Sequence, residues 1–313
     1  MRLSIKPTAP LVAAAAFASA LSIGLAAAPA NADTFAFSFN TGAVTNVMAS
    51  ASRPQSPGKF EIESADDFVT PAGQTSITSA TFTGLLTGGA TAANVGQVTV
   101  EIYRVFPADS NVARTSGPPT FSTPQVPTRV NSPADVEVAE ASRSNAPPPG
   151  NLTFTTTNLG TFTGALNSVQ PGGIHPFPGQ TTMGNGPVTG REVQFNVNFT
   201  VPISLTPDHY FFVPQVEVNG GEFLWLSGTR PLPAGTFPPG VTDLQSWTRD
   251  AMLDPDWLRI GTDIVGGATP PTFNAAFSLT GTAVPLPGAL PLFATGLGAL
   301  GLLAWRRKRK AAA

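Results

Sequence analysis

Apolar and polar residues alternate along much of the chain, in short stretches that Gly, Pro, Asn and Asp interrupt. The clearest stretch is VTVEIYRV, in which Val98, Val100 and Ile102 alternate with Thr, Glu and Tyr. In FAFSF, three phenylalanines between Phe35 and Phe39 share one face of a strand, and we expect that face to be buried. Further alternating stretches occupy residues 60–63, 75–85, 152–157, 193–201, 210–218, 222–227 and 273–282. Many short strands separated by turn residues predict an all-β fold, a jelly-roll-like β-sandwich over residues 33–283.

The alternation lapses between residues 106 and 150, a stretch that holds nine prolines and many Ser, Thr and Asn residues. This length exceeds an ordinary connection in a compact domain. We therefore predict a long, irregular Pro/Ser-rich insertion at 106–150, with short extended pieces around 136–138. Outside the two ends of the chain, the pattern favours a helix only near 242–252.

The N-terminal residues 1–32 have the pattern of a secretory signal peptide. Arg2 and Lys6 precede an uncharged run from residue 11 to residue 28, and Ala30-Asn31-Ala32 follows. Small residues at these positions suit a signal peptidase, so we predict a signal helix that is cleaved between Ala32 and Asp33 and a protein that is exported.

A second uncharged run covers residues 288–305 and ends at Trp305. Eighteen helical residues span about 27 Å, close to the roughly 30 Å hydrocarbon core of a bilayer. A basic block follows, which consists of Arg306, Arg307, Lys308, Arg309 and Lys310. Because basic residues stay on the cytoplasmic side, we predict one C-terminal transmembrane helix and a cytoplasmic stop, with residues 33–283 outside.

Directly before this helix stands Val284-Pro285-Leu286-Pro287, and two prolines in four residues keep the backbone extended. A short Pro-x-Pro motif, one apolar helix and a terminal Arg/Lys cluster resemble the PEP-CTERM sorting signal of Gram-negative bacteria. Residues 284–313 are similar to its Val-Pro-Leu-Pro variant, since Leu286 replaces the Glu of the commoner motif. The resemblance implies that an exosortase, a membrane protease, recognises and removes the tail. It also implies association with an extracellular polysaccharide matrix.

Without its two ends the chain is acidic. Residues 33–283 hold nineteen acidic and ten basic residues, a net charge of −9. This charge argues against nucleic acid and anionic lipid as partners, because both attract basic patches. The sequence contains no cysteine, which excludes disulfides, a thiol nucleophile and cysteine-bound metal.

The two histidines give little indication of catalysis. Neither His175 nor His209 lies near a Gly-x-Ser-x-Gly or His-Glu-x-x-His motif, because the chain contains neither motif. Asp208-His209 is interpreted as a turn that enters a strand. We therefore predict that the protein is not an enzyme.

Carboxylates are denser in TRDAMLDPDW, which contains Asp250, Asp254 and Asp256, and Asp66-Asp67 follows a short strand. Calcium takes roughly six to eight oxygen ligands, so this loop is the candidate for a calcium site. Asp-Pro-Asp is also a turn former, and the spacing matches no calcium-loop motif. We predict no resident cofactor and keep calcium as an alternative. A glycosidase would need two such acids at a defined separation, which leaves a polysaccharide-active hydrolase as a further alternative.

Trp247 and Trp257 flank the acidic loop, and an exposed indole can stack on a sugar ring. Trp225 lies in an alternating stretch and is expected in the core. The alternative function is therefore a lectin-like carbohydrate-binding module that uses residues 242–260, with or without calcium. The leading expectation is an exported protein of the cell envelope or extracellular matrix, with a structural role.

Overall fold

A computed structural model describes residues 34–114, 129–174 and 181–284 of the chain. The fold is mostly β, and two sheets pack face to face as in a sandwich. This confirms the predicted all-β class at the level of a sandwich-like arrangement. All described residues belong to one compact unit.

One sheet has eight strands. The strands are β1 (Phe35–Asn40), β2 (Met48–Ala51), β4 (Gln74–Leu86), β8 (Leu152–Ala165), β9 (Asn167–Val169), β10 (Val188–Leu205), β12 (Phe223–Leu226) and β15 (Phe277–Val284). Strand β4 pairs antiparallel with β10, β12 and β15, while β1 pairs with β15 and β8 pairs with β10. Strands β2 and β9 are parallel. Sequence-distant strands therefore build this sheet.

The other sheet has seven shorter strands around β11. The strands are β3 (Ile62–Val69), β5 (Val95–Val105), β6 (Pro133–Glu137), β7 (Arg143–Ser144), β11 (His209–Val218), β13 (Trp247–Asp250) and β14 (Leu258–Arg259). Strand β11 lies between β3 and β5, and β13 pairs with the other edge of β3. The helical elements are the 3₁₀ turns Ala92–Asn94, Val112–Arg114 and Pro171–Gly173 and the π turn Ile260–Val265.

Aromatic side chains from both sheets form the core between them. Phe82 stacks on Phe195 with ring centroids 5.0 Å apart, and Phe212 stacks on Phe277 at 5.1 Å. Trp225 is 1% exposed, and its Nε1 donates to the Ala276 carbonyl at 3.0 Å, so its predicted core position is confirmed. Burying one such ring is worth about 2–3 kcal/mol, which makes this layer the main source of stability.

Two predictions about alternation had different outcomes. Val98, Val100 and Ile102 are all 0% exposed in the core between the sheets, as predicted. The buried face of β1 is only partly confirmed, because Phe37 and Phe39 are buried while Phe35 is 42% exposed. Phe35 begins the strand, at an end of the outermost pair β1–β15, where the opposite sheet no longer covers it.

The helix predicted near 242–252 was wrong, because β13 occupies Trp247–Asp250 and pairs with β3. All four residues of β13 are buried and paired with β3, and this tertiary environment outweighs their weak local preference for a helix. Asp66 and Asp67 lie inside β3, not after a strand. Within 106–150, predicted as an irregular insertion, β6 and β7 pair with β5.

The predicted signal peptide 1–32, its cleavage point Ala32/Asp33, the motif residues Pro285–Pro287, the transmembrane helix 288–305 and the basic block 306–310 lie outside the described residues. Within the described ranges, no helix is long and apolar enough to cross a membrane. Val284, the first residue of the sorting motif, is described and is the last residue of β15.

Candidate functional site

The tryptophans that were predicted to stack on sugar lie at Trp247, the first residue of β13, and at Trp257, directly before β14. Trp247 is 0% exposed and Trp257 is 1% exposed. The indole Nε1 of Trp247 donates to the Leu244 carbonyl at 3.3 Å, and that of Trp257 donates to the Ala134 carbonyl at 3.0 Å. Neither ring offers a face to a ligand, so their interpretation as sugar-stacking residues was wrong. Both rings instead cover the outer face of the seven-stranded sheet, the face that points away from the eight-stranded sheet.

The acids of the loop that these tryptophans flank are held by the protein itself. Asp250 Oδ1 accepts the backbone N–H groups of Met252 and Leu253, both at 3.0 Å, which closes a turn. Of the three loop acids, Asp254 is the exposed one, with 55% of its side chain accessible. In the part of the chain that the structure describes, no group of three or more acidic or histidine side chains is arranged to hold a metal ion.

Arg249 is itself buried and is the centre of a polar group, here called the Arg249 cluster, which consists of Arg249, Glu63, Tyr103, Glu101 and Asp254. Strand β13 places Arg249 opposite Glu63 on β3, and its Nε donates to Glu63 Oε2. Its Nη1 pairs with Asp254 Oδ1 at 2.8 Å, and its Nη2 donates to the Tyr103 hydroxyl at 3.0 Å. Burial by itself lowers the pKa of Arg249, but Glu63 and Tyr103 raise it above its ordinary value. The guanidinium is therefore a fixed charge.

The aromatic neighbours enclose this charge from two sides. The guanidinium carbon of Arg249 lies 4.3 Å from the ring centroid of Trp257 and 5.1 Å from that of Tyr103. A cation over an aromatic face is stabilised by the ring quadrupole, most strongly where water is excluded. Because Arg249 is 5% exposed, both contacts contribute in a desolvated environment.

Glu101 is the most strongly perturbed acid of the cluster. Burial raises its pKa to about 9, and the neighbouring Glu63, Glu61 and Glu137 add to the shift. Burial and the adjacent Glu63 also raise the pKa of Tyr103, whose hydroxyl donates to Glu63 Oε1 at 2.7 Å and lies 3.2 Å from Glu101 Oε2. The raised pKa favours the protonated form of Glu101 at neutral pH.

A neutral carboxylic acid beside a carboxylate is an arrangement that acid–base enzymes use. The carboxylate partner, Glu63, is only 4% exposed, as is Tyr103 between the two acids. Arg249 and Tyr103 both donate hydrogen bonds to this carboxylate, so the arrangement joins β3, β5 and β13 and stabilises the folded sheet.

A second ion-pair group joins described residues of 106–114 and 129–137 to the acidic loop. Arg114 Nη2 bridges Asp135 Oδ1 at 3.1 Å and Asp256 Oδ1 at 2.9 Å. Arg129 also pairs with Asp135, and its guanidinium lies 4.4 Å from the Phe106 ring centroid. Burial lowers the pKa of Arg129 to about 10, which leaves it charged at neutral pH. These contacts join the predicted insertion to the acidic loop.

A third group surrounds His209 at the other end of this sheet. Asp208 Oδ1 accepts the backbone N–H of His209, which begins β11, so the predicted turn into a strand is confirmed. The ring Nε2 of His209 lies 2.6 Å from Asp67 Oδ2, and Asp67 Oδ1 accepts the Leu244 N–H at 3.1 Å. The ring also lies 5.6 Å from the ring of Phe237. In the described residues these contacts include no hydroxyl nucleophile, so the pair fixes the loop before β13 and forms no triad.

Asp66 points to the opposite side of β3 from Asp67 and is buried between the sheets. Its two oxygens accept from the Ser246 hydroxyl at 3.2 Å and from the Ala275 N–H at 2.7 Å. Burial raises the pKa of Asp66 well above its ordinary value, and burial also raises that of Asp67. The consecutive acids therefore bind segments on both faces of one strand.

Two surface grooves of the described chain are not lined by the residues of the Arg249 cluster. A groove of about 420 Å³ lies beside β5 and the turn at 146–151, where Arg143 is the charged residue among its lining. Another, of about 370 Å³, is lined by the 230–243 loop, whose Arg230 and Asp243 pair with each other at 2.7 Å. Neither groove presents two acids or a histidine.

Sequence reasoning missed the members of the Arg249 cluster that come from β3, β5 and β13. The alternation in VTVEIYRV did indicate that Glu101 and Tyr103 lie opposite the core residues, but not that Tyr103 is buried. Comparisons of the chain with models of known protein families, with curated proteins and with solved structures find no match. Its function is therefore inferred from its own residues.

Proposed function

We propose that the protein is an exported, non-enzymatic component of the cell envelope or extracellular matrix, with a jelly-roll-like sandwich as its exported domain. In this proposal an exosortase recognises Val284-Pro285-Leu286-Pro287 and removes the tail, while the apolar run 288–305 and the basic block 306–310 hold the protein in the membrane beforehand. The mature protein then lies at the cell surface or in extracellular polysaccharide.

The main structural support for this proposal is the position of the sorting motif relative to the sandwich. Strand β15 pairs with β1 up to Ala283 and with β4 up to its last residue, Val284, whose partner on β4 is Gln74. Val284 is 38% exposed, and Pro285 follows it directly. The motif therefore begins where the sandwich ends, with no intervening linker, and removal of everything beyond it would leave the sheet intact.

The alternatives lose their supporting residues in the structure. A lectin-like module needs exposed aromatic rings in the 242–260 loop, but Trp247 and Trp257 are buried. A hydrolase needs two reachable acids, but Asp256 is 4% exposed and paired with Arg114. The polar residues of this face hold segments together, as a structural role requires.

The sorting motif can be tested with a double substitution, Pro285→Ala with Pro287→Ala, in the full chain expressed in its native host. We expect the variant to stay in the membrane fraction at its unprocessed mass, because a helix can then propagate through the recognition segment. The measurement is a comparison of membrane, surface and medium fractions by immunoblot.

The matched control changes two prolines elsewhere on the surface, Pro238→Ala with Pro239→Ala, which lie in an exposed loop. We expect this control to be processed and released like the natural chain. Equal release of both variants would reject the motif assignment.

A further inference from the structure

The outer face of the eight-stranded sheet, which points away from the core, carries a row of uncharged polar side chains. The register of four strand pairs places Asn40, Ser278, Thr81, Asn196 and Thr155 side by side across β1, β15, β4, β10 and β8. Each of them is partly or fully exposed. On β1, β15, β4 and β10 the flanking residues point inward and are buried, as strand alternation requires, while those beside Thr155 on β8 are partly buried.

A second row runs parallel to the first, two residues further along each strand. It consists of Ser38, Thr280, Ser79, Asn198 and Thr153, which are also partly or fully exposed. Neighbouring positions are about 4.8 Å apart across the strands and about 6.7 Å apart along them. The two rows, here called the hydroxyl face, form a regular array of hydroxyl and amide groups.

Hydrogen bonds between strands fix the directions of several of these side chains. The hydroxyls of Thr81 and Ser278 lie 2.6 Å apart, and those of Ser79 and Thr280 also hydrogen-bond. Asn196, a member of the first row, donates from its Nδ2 to the hydroxyl of Thr157 at 3.2 Å, and Thr157 lies two residues from Thr155 along β8. Side chains that are already ordered lose little further conformational entropy on binding a partner.

The charge of the hydroxyl face differs from that of the rest of the domain. Residues 33–283 carry a net charge of −9, yet none of the ten residues in the two rows is charged. Hydroxyl and amide groups both donate and accept hydrogen bonds, as sugar hydroxyls do. A neutral polysaccharide is therefore complementary to the face, whereas an acidic polysaccharide meets the repulsion of the surrounding acids.

We propose that the hydroxyl face binds a neutral, hydroxyl-rich polysaccharide chain and so holds the exported domain in the matrix. This inference rests on the proposed matrix function and names the ligand class and the surface that provide it. It replaces the 242–260 segment, whose two tryptophans are buried, with a different binding surface, on the other sheet and without calcium.

The test is co-sedimentation of the protein, purified from its host, with an insoluble neutral glucan. We expect binding that persists between about 0.05 and about 0.5 M salt, because screening weakens only contacts between charges. A variant with Thr153→Val, Thr155→Val and Thr280→Val keeps the β-branched shape but removes three hydroxyls. We expect its binding constant to fall at least about tenfold, as the loss of three modest hydrogen bonds predicts.

The matched control carries the same chemical change at three exposed threonines outside the face, Thr242→Val, Thr262→Val and Thr272→Val. We expect it to bind like the natural chain, and thermal unfolding checks that both variants are folded. Equal binding by both triple variants would overturn the proposal. So would binding only to an anionic polysaccharide, or a change in self-association without a change in glucan binding.

The two proposals fail in different ways. If the natural chain is processed and retained in the matrix but does not bind neutral glucan, the hydroxyl face is not the means of retention and the sorting proposal stands. If the purified chain binds glucan through the face but stays unprocessed in the membrane, the matrix proposal fails and the binding surface stands.

Discussion

Replacing Arg249 with Met is expected to lower the free energy of unfolding by about 3–5 kcal/mol, the cost of leaving a buried charge without its partner. Glu63 is 4% exposed and would keep a carboxylate whose cation is gone. Tyr103 would lose the donor at 3.0 Å, and Trp257 would lose the cation 4.3 Å from its ring centroid. Urea unfolding followed by tryptophan fluorescence measures the change.

Arg104→Met is the control for this substitution, because Arg104 lies 3.6 Å from Asp109 and 35% of its side chain is exposed. A surface pair of this kind contributes at most about 1 kcal/mol. Adding Glu63→Gln to Arg249→Met removes the unpaired charge, so we expect the double variant to recover part of the loss. A loss with Arg249→Met no larger than with Arg104→Met would show that the cluster does not stabilise the fold.

Stability is expected to decrease as the pH rises from about 5 to about 9. The pKa of Glu101 is raised from 4.5 to about 9, and burial also raises the pKa values of Glu61, Asp66 and Asp67. Between the two values the folded state retains a proton that the unfolded state has released. For Glu101 the free energy of unfolding therefore falls as the pH rises through this window, because only the unfolded state has released its proton.

The decisive comparison is the natural chain with Glu101→Gln, which keeps the size and hydrogen-bonding capacity of a neutral carboxyl but does not titrate. We expect the variant to show a shallower fall and to be more stable than the natural chain at pH 9. Glu140→Gln, at an exposed acid, should leave the slope unchanged. Parallel pH profiles for the natural chain and Glu101→Gln would mean that Glu101 is ionised in the folded protein at neutral pH.

Local pattern was enough to predict the class of fold and the positions of many strands. In VTVEIYRV the alternation alone placed Val98, Val100 and Ile102 on the core side. The alternation of apolar and polar residues did not predict burial correctly where the position of a residue in the sheet decides it. Phe35 has the same spacing as Phe37, yet it is exposed because it begins a strand of the outermost pair.

The covered outer face could not be predicted, because its partners are far apart in the sequence. Arg114 and Asp256 are separated by 142 residues, and Arg249 and Glu63 by 186. A single sequence indicates that an arginine and an acid exist but not that folding brings them together. The same reason explains Trp247 and Trp257, which had the pattern of loop residues and are buried by neighbours from other segments.

The hydroxyl face could not be predicted from the sequence either, because it depends on how the strands pair. Within each strand, the residues of the two rows are a pair of Ser, Thr or Asn side chains at alternate positions, which is common in exposed strands. The register of β1, β15, β4, β10 and β8 turns these separate patterns into two continuous uncharged rows. Pairing between strands is set by tertiary contacts and is not encoded in any one stretch.

The most direct test of export and processing is the intact mass of the protein, with mapping of its terminal peptides, from the membrane and medium fractions of its native host. We predict a mature form that begins at Asp33 and ends near Pro287. A form that begins at Asp33 and still carries Trp305 and the residues 306–310 in every fraction would contradict removal of the tail and identify a permanently anchored surface protein.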